Sequence, residues 1–140
     1  MVRILVVEDN PADADLLGEH LQGLGQPIEL TVVADGAAAL NRLRTTPVTL
    51  PDLVILDLNL PGLSGADVLR EIKNDSRLRR LPVVVFTHSD AESDVAKTYD
   101  LGANCFITKP KTLTEFRIAV DRLQEFWFRV ATLPPLPRQD

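Results

Sequence analysis

Short apolar runs alternate with amphipathic stretches along the chain. Five runs read as strands: Arg3–Val7, Ile28–Ala34, Leu53–Leu58, Pro82–Phe86 and Asn104–Thr108. Four are rich in Val, Ile and Leu with little alternation, the pattern of strands covered on both faces in a parallel sheet. The second alternates more and contains Thr31, which points to a sheet edge. Helix-start signals fill the gaps. Asn10-Pro11 sets an N-cap before a proline at the first helical position. Asp35 can cap Gly36–Arg44, and Ser64–Asp67, Ser89–Glu92 and Thr112–Glu115 have the capping-box spacing. Gly102 follows Leu101 where a left-handed residue ends a helix. The pattern predicts an α/β fold, (βα) repeated five times around a doubly wound five-stranded parallel sheet.

Two segments fall outside that pattern. Thr45–Pro51, TTPVTLP, predicts a long loop before the third strand. Residues 131–140, ATLPPLPRQD, predict a disordered proline-rich tail after a domain spanning 1–130. The last helix is expected to be long. Leu113, Phe116, Val120, Leu123, Trp127 and Val130 make one apolar stripe, with Phe126 and Phe128 beside its end. A helix over Leu113–Val130 runs about 27 Å, against about 17 Å for a five-residue strand, so its final turns should overhang the sheet. An exposed Phe126-Trp127-Phe128 cluster needs cover. The expected cover is a second copy, in a homodimer built on the fourth helix, fifth strand and fifth helix.

Composition narrows the class. Among 140 residues, 45% are hydrophobic and 25% charged, ordinary globular usage. The net charge of −5 gives no support to nucleic-acid binding. The single cysteine, Cys105, excludes an internal disulfide and a Cys/His zinc set, and its apolar run suggests a buried thiol. The opening MVRILVVED reads straight into a strand and is too short for a signal peptide or a membrane span. A cytoplasmic protein without membrane contact is expected.

The chemistry concentrates at the carboxyl ends of the strands, where open α/β sheets bind ligands. Strand one ends in Glu8-Asp9, strand three in Asp57 with Asn59 two residues on, strand four in Thr87, and strand five in Lys109. A carboxylate within the apolar run LVILDLNLPG is costly unless compensated. Three acids at close range repel one another, and a hard divalent cation resolves the conflict; magnesium takes one or two carboxylates and several waters. Lys109 and Thr87 then supply donors to phosphoryl oxygens. The set suits phosphoryl transfer with Asp57 as nucleophile, through an aspartyl phosphate.

VVEDN, DLVILDLNLPGLSG, VVVFTHS and GANCFITKP together resemble the receiver domain of two-component response regulators, over roughly Arg3 to Phe126. The long third loop, DLNLPG and GANCFI resemble the single-domain regulators that partner bacterial phytochromes. The resemblance implies a flavodoxin-like receiver fold and Asp57 as phosphoacceptor. It implies that Mg2+ is held by Asp9 directly, Glu8 through water, Asp57, and the backbone carbonyl of Asn59. Lys109 would contact the phosphoryl group, and Thr87 would be the switch hydroxyl with Phe106 as its aromatic companion. A sensor histidine kinase, on the finer resemblance a phytochrome, would be the donor. With no room for a DNA-binding domain, output is expected through protein contacts, and no enzyme activity on an outside substrate is expected. His88 stands where the family usually has something smaller, either crowding the phosphate or facing solvent.

Two other classes compete. Asp57-Leu58-Asn59 loosely resembles the DxD of haloacid-dehalogenase phosphatases, but Asn59 cannot serve as the acid/base and no cap domain is present. A flavodoxin-like electron carrier would place Ser, Thr and Gly after strand one, where this chain has acids.

Overall fold

The computed structural model describes residues 1–45 and 50–136. Most of the expected loop Thr45–Pro51 and the last four residues of the expected tail lie outside the described residues. Five strands form one parallel sheet: β1 (Val2–Val7), β2 (Ile28–Val33), β3 (Leu53–Leu56), β4 (Val83–Thr87) and β5 (Cys105–Thr108), in the order β2-β1-β3-β4-β5. Helices follow each strand: α1 (Pro11–His20), α2 (Gly36–Arg44), α3 (Gly65–Asn74), α4 (Glu92–Asp100) and α5 (Leu113–Glu125). The non-alternating runs β3 and β4 are buried throughout, whereas β2, which alternates, lies at an edge. Order reverses at β1, which pairs with β2 on one side and β3 on the other. That reversal is the switch point where such sheets bind ligands.

The sheet separates two apolar cores. One joins Leu5, Val7, Val54, Leu56, Val83 and Val85 to α2 through Leu40 and Leu43 and to α3 through Val68, Leu69 and Ile72. The other joins Val6, Ile55, Val84 and Phe86 to Leu17 of α1 and to Phe116, Val120 and Leu123 of α5. Period-two side chains on the strands thus feed one face each.

The caps explain most helix starts. Asn10 accepts from the Asp13 amide, Asp35 from Ala38, and Thr112 from Glu115, while Ser64 and Asp67 close a full capping box. The expected box at Ser89–Glu92 is not formed. Helix α4 has Ala91 as its N-cap, so the acid three residues on is Asp94, and the Ser89 hydroxyl donates to that carboxylate at 2.5 Å.

The C-terminal helix also differs from a straight 18-residue rod. After Glu125 the chain widens into one π turn, Phe126–Val130, closed by the Ala131 amide donating to the Phe126 carbonyl at 2.7 Å. A residue inserted into a helical turn rotates the side chains beyond it. Phe116, Val120 and Leu123 of the expected stripe are buried, but Leu113 and Val130 at its ends are 56% and 68% exposed. Trp127 and Phe128 pack against the α1–α5 core, and Phe126 stays half exposed with its ring edge-on to Trp127. Beyond the turn, residues 131–136 of the expected tail run back over the body: Leu136 packs against the α2–α3 core, and Arg80 donates to the Pro135 carbonyl.

Candidate functional site

Parallel strands end together, so the residues just past β1, β3, β4 and β5 converge at one edge. Backbone bonds set the register: the Glu8 amide donates to Val33, that of Asp57 to Val7, and that of Lys109 to Thr87. Glu8, Asp57, Thr87 and Lys109 are all buried, and Asp9 is exposed at the rim. Carboxylate oxygens of Glu8, Asp9 and Asp57 lie within 4.8 Å of one another. Asp57 is locked in place from both sides. Its Oδ1 accepts the Asn59 amide at 3.0 Å and its Oδ2 the Lys109 ammonium at 2.8 Å. Behind it, Gly65 starts α3 so close that a Cβ there would stand 2.2 Å from the Asp57 carbonyl oxygen. Only glycine lets the helix dock on the strand end at that distance.

Lys109 is the hub. Its Nζ donates to Glu8 Oε2 at 2.7 Å, to Asp13 Oδ2 at 2.8 Å and to Asp57 Oδ2 at 2.8 Å. Burial alone would favour the neutral amine, but these carboxylates outweigh it and raise the Lys109 pKa above its ordinary value. The acids divide. Burial pushes Glu8 up from 4.5 to about 7, against the Lys109 bond. Burial acts on Asp57 too, yet the Lys109 ammonium and the Asn59 amide hold it below the usual carboxylate range. The environment thus favours the protonated form of Glu8 and the anionic form of Asp57.

The Thr87 hydroxyl is fully buried and makes no hydrogen bond. A buried hydroxyl left unpaired costs free energy unless a ligand completes it. The donor chemistry fits a hard divalent cation flanked by an oxyanion: three converging carboxylates, an ammonium and an idle hydroxyl. Phe106 of β5 is half-buried against the α2–α3 core, and its amide donates to the Tyr99 hydroxyl at 3.1 Å. His88 is 60% exposed and bonds Asp13 through Nε2 at 3.1 Å, a partner the sequence did not suggest. Burial pushes the half-buried Cys105 thiol up, in keeping with an unreactive side chain.

Asp13 is the member of the cluster that motif reading passed over. The signal was there: it is the acid three residues after the N-cap Asn10, the place where a capping box puts its carboxylate. Here Glu8 Oε1 accepts the Asn10 amide instead, at 3.0 Å, which frees Asp13 to reach across to Lys109. The aromatic residues expected at a subunit contact lie apart from this cluster of charges, with Phe128 packed on the α1–α5 core. Phe126 and Trp127, with Cys105, Ile107, Ala119 and Leu123, line an apolar hollow between β5 and α5, away from the charged edge.

A model of the response regulator receiver domain matches residues 4–121. Response regulator Rcp1 of Synechocystis sp. is 41% identical over 137 residues, covering 94% of this chain and 92% of that one. The crystal structure of the manganese-bound form of Rcp1 superposes with a TM-score of 0.92 at 40% identity, covering 96% of this chain and 100% of that one. The phosphorylated cyanobacterial phytochrome response regulator RcpA does so with 0.92 at 43% identity, covering 96% and 99%.

Proposed function

The chain belongs to the response regulator receiver family, a phosphoryl-accepting part of two-component signalling, and on that premise we propose that Asp57 is the side chain that receives the phosphoryl group. One observation carries this: Asp57 is buried at the switch point with the Lys109 ammonium 2.8 Å from its Oδ2, the oxygen it would use or leave beside the phosphorus, and that ammonium helps hold its pKa below the ordinary carboxylate value. A sensor histidine kinase is the donor. A carboxylate oxygen of Asp57 attacks phosphorus, the P–N bond of the phosphohistidine breaks, and the electron pair leaves with the imidazole. Lys109 donates to one phosphoryl oxygen and Thr87, with no other partner, to a second. Glu8, Asp9, Asp57 and the backbone carbonyl of Asn59 would hold Mg2+, which when bound neutralises the acids and polarises the phosphoryl group.

The resemblance to Rcp1 and RcpA supports a phytochrome as the kinase partner. The same reading makes the protein a cytoplasmic switch rather than an enzyme with an outside substrate. Pulling Thr87 toward the new charge would draw on α4 and β5, with Phe106 following. The half-exposed Phe126 and the apolar hollow beside Ile107 support a homodimer through α4, β5 and α5, for which sedimentation of wild type against Phe126→Ala with Trp127→Ala is the measurement. A wild-type monomer at high micromolar concentration, phosphorylated or not, removes that part.

The acceptor is tested by mass. Acetyl phosphate with Mg2+ should add one phosphoryl group to the wild-type chain and none to Asp57→Asn. Equal modification of the variant would falsify the assignment.

A further inference from the structure

Lys109 has three Nζ protons and spends all of them on carboxylates, Glu8 at 2.7 Å and Asp13 and Asp57 at 2.8 Å each. Two of those acceptors, Glu8 and Asp57, belong to the trio whose oxygens converge within 4.8 Å. A divalent cation in that trio draws on the same lone pairs, and Asp57 changes charge and shape on phosphorylation. Asp13 is outside the trio. Among the described residues it is the acceptor of Lys109 that neither event claims. Its own position is well fixed: its amide donates to Asn10 Oδ1 in the first turn of α1, and its Oδ2 also meets His88 Nε2 at 3.1 Å, a brace from the end of β4.

We propose that Asp13 is a positioning residue for phosphoryl uptake, holding the Lys109 ammonium at the mouth of the site while Glu8 and Asp57 are engaged elsewhere. The inference rests on the reading of Asp57 as acceptor and adds a residue to it. Without Asp13, the flexible lysine stem falls back onto Glu8 and Asp57, where it competes with the cation and no longer faces the incoming oxygens. The bland alternative has the opposite sign. If Asp13 were only one more negative charge beside an approaching phosphoryl anion, neutralising it would speed uptake.

The test compares wild type, Asp13→Asn, Asp13→Glu, Lys109→Met and the Asp13→Asn/Lys109→Met double variant. Uptake from acetyl phosphate is followed by intact mass at saturating Mg2+, with melting curves confirming that each chain folds. Asp13→Asn should slow uptake by about tenfold, within the roughly hundredfold that a misplacement of about 1 Å in a catalytic group can cost. Asp13→Glu should recover most of the rate, and the double variant should be no slower than Lys109→Met alone. A second readout needs neither metal nor phosphate: the 15N signal of the Lys109 ammonium in the metal-free protein should be sharp in wild type and lost in Asp13→Asn. Uptake by Asp13→Asn at or above the wild-type rate overturns the proposal, as does an equal loss in both backgrounds. If the wild type itself takes up nothing, the acceptor reading has failed. The ammonium signal then still decides whether Asp13 holds the lysine, and an unchanged signal in Asp13→Asn overturns that too.

Discussion

Neighbouring helices α3 and α4 flank the charged edge and are held by different forces. Helix α3 has a closed capping box and buries Val68, Leu69 and Ile72 completely, and its first residue, Gly65, sits against the Asp57 backbone. Helix α4 has no side-chain N-cap and buries Thr98 alone, whose hydroxyl turns back to its own helix at the Asp94 and Val95 carbonyls. The ties of its body are polar, Tyr99 to the Phe106 amide and Ser89, just before the helix, to Asp94, while Leu101 at its C-cap packs against the α2–α3 core. An exposed hydrogen bond contributes on the order of 1 kcal/mol net, whereas truncating a buried Leu costs about 2–5 kcal/mol. One wall of the site, behind Asp57, is therefore fixed by apolar burial. The other, which continues from Thr87, is held by contacts that open at small cost. A site with one rigid and one loose wall can turn a local change of charge into a change of shape.

The largest effect expected from this contrast is in the cores. Leu69→Ala should lower unfolding free energy by about 3 kcal/mol, since the side chain is fully buried between α3 and the sheet. The same kind of truncation in α4, Val95→Ala at a half-buried position, should cost about 1 kcal/mol or less. Denaturant melts of the two variants check this. Equal losses would mean α4 is anchored as firmly as α3, and the contrast would go.

A middle-sized effect comes from Glu8. Its folded pKa is raised from 4.5 to about 7, so between those values the folded protein holds a proton that the unfolded chain has released. Stability from this group is full below about pH 4.5 and is lost as pH rises through about 7, a decline of at most about 3 kcal/mol in metal-free protein. Asp57 acts the other way. Its lowered pKa supports the fold above its ordinary 3.8 and fails below that, outside the Glu8 window. Glu8→Gln should flatten the decline between pH 5 and 7 in EDTA, and Mg2+ binding to wild type at pH 6 should release protons. Hydrogen exchange over the same titration sharpens the comparison, because the strain of ionising Glu8 should speed α4 amides and leave α3 amides alone. A wild-type melting temperature that climbs from pH 5 to 7 without metal would contradict the account.

Much of this contrast could be read from residues before any coordinates. The buried strands, the five-fold alternation, the caps at Asn10, Asp35, Ser64 and Thr112, and the convergence of Glu8, Asp9, Asp57, Thr87 and Lys109 all follow from local pattern plus one rule about where α/β sheets bind ligands. Three things did not. The Ser89–Glu92 spacing matched a capping box but competed with Asp94, two residues further into the turn, and spacing alone cannot rank such rivals. The π turn at Phe126 leaves no local signature, because it depends on how the last aromatic side chains settle on the core. Motif reading passed over Asp13 altogether: it sits at the capping-box position after Asn10, and only the diversion of the Asn10 amide to Glu8 reveals that its carboxylate reaches Lys109. Each miss is a choice between alternatives of similar strength, decided by tertiary placement.

The smallest effect expected is the most specific to the loose wall. β5 is an edge strand, and the amide of Phe106 points away from β4 toward α4, where the Tyr99 hydroxyl oxygen accepts it at 3.1 Å. Tyr99→Phe keeps the ring, itself 49% exposed, and removes that one acceptor. Global stability should fall by less than about 1 kcal/mol, because water can replace a partly exposed partner. The local consequence is larger than the global one. Exchange of the Phe106 amide should accelerate by about fivefold, the factor that about 1 kcal/mol allows, and α4 amides should rise with it, while those of Val68, Leu69 and Ile72 in α3 keep their wild-type rates. If the tie is also what holds β5 and α4 in register in the unphosphorylated protein, Tyr99→Phe should already show part of the α4 shift that acetyl phosphate and Mg2+ produce in wild type. A Phe106 amide that exchanges at the wild-type rate, or an α3 that loosens in step with α4, would show that the two helices are parts of one rigid unit after all.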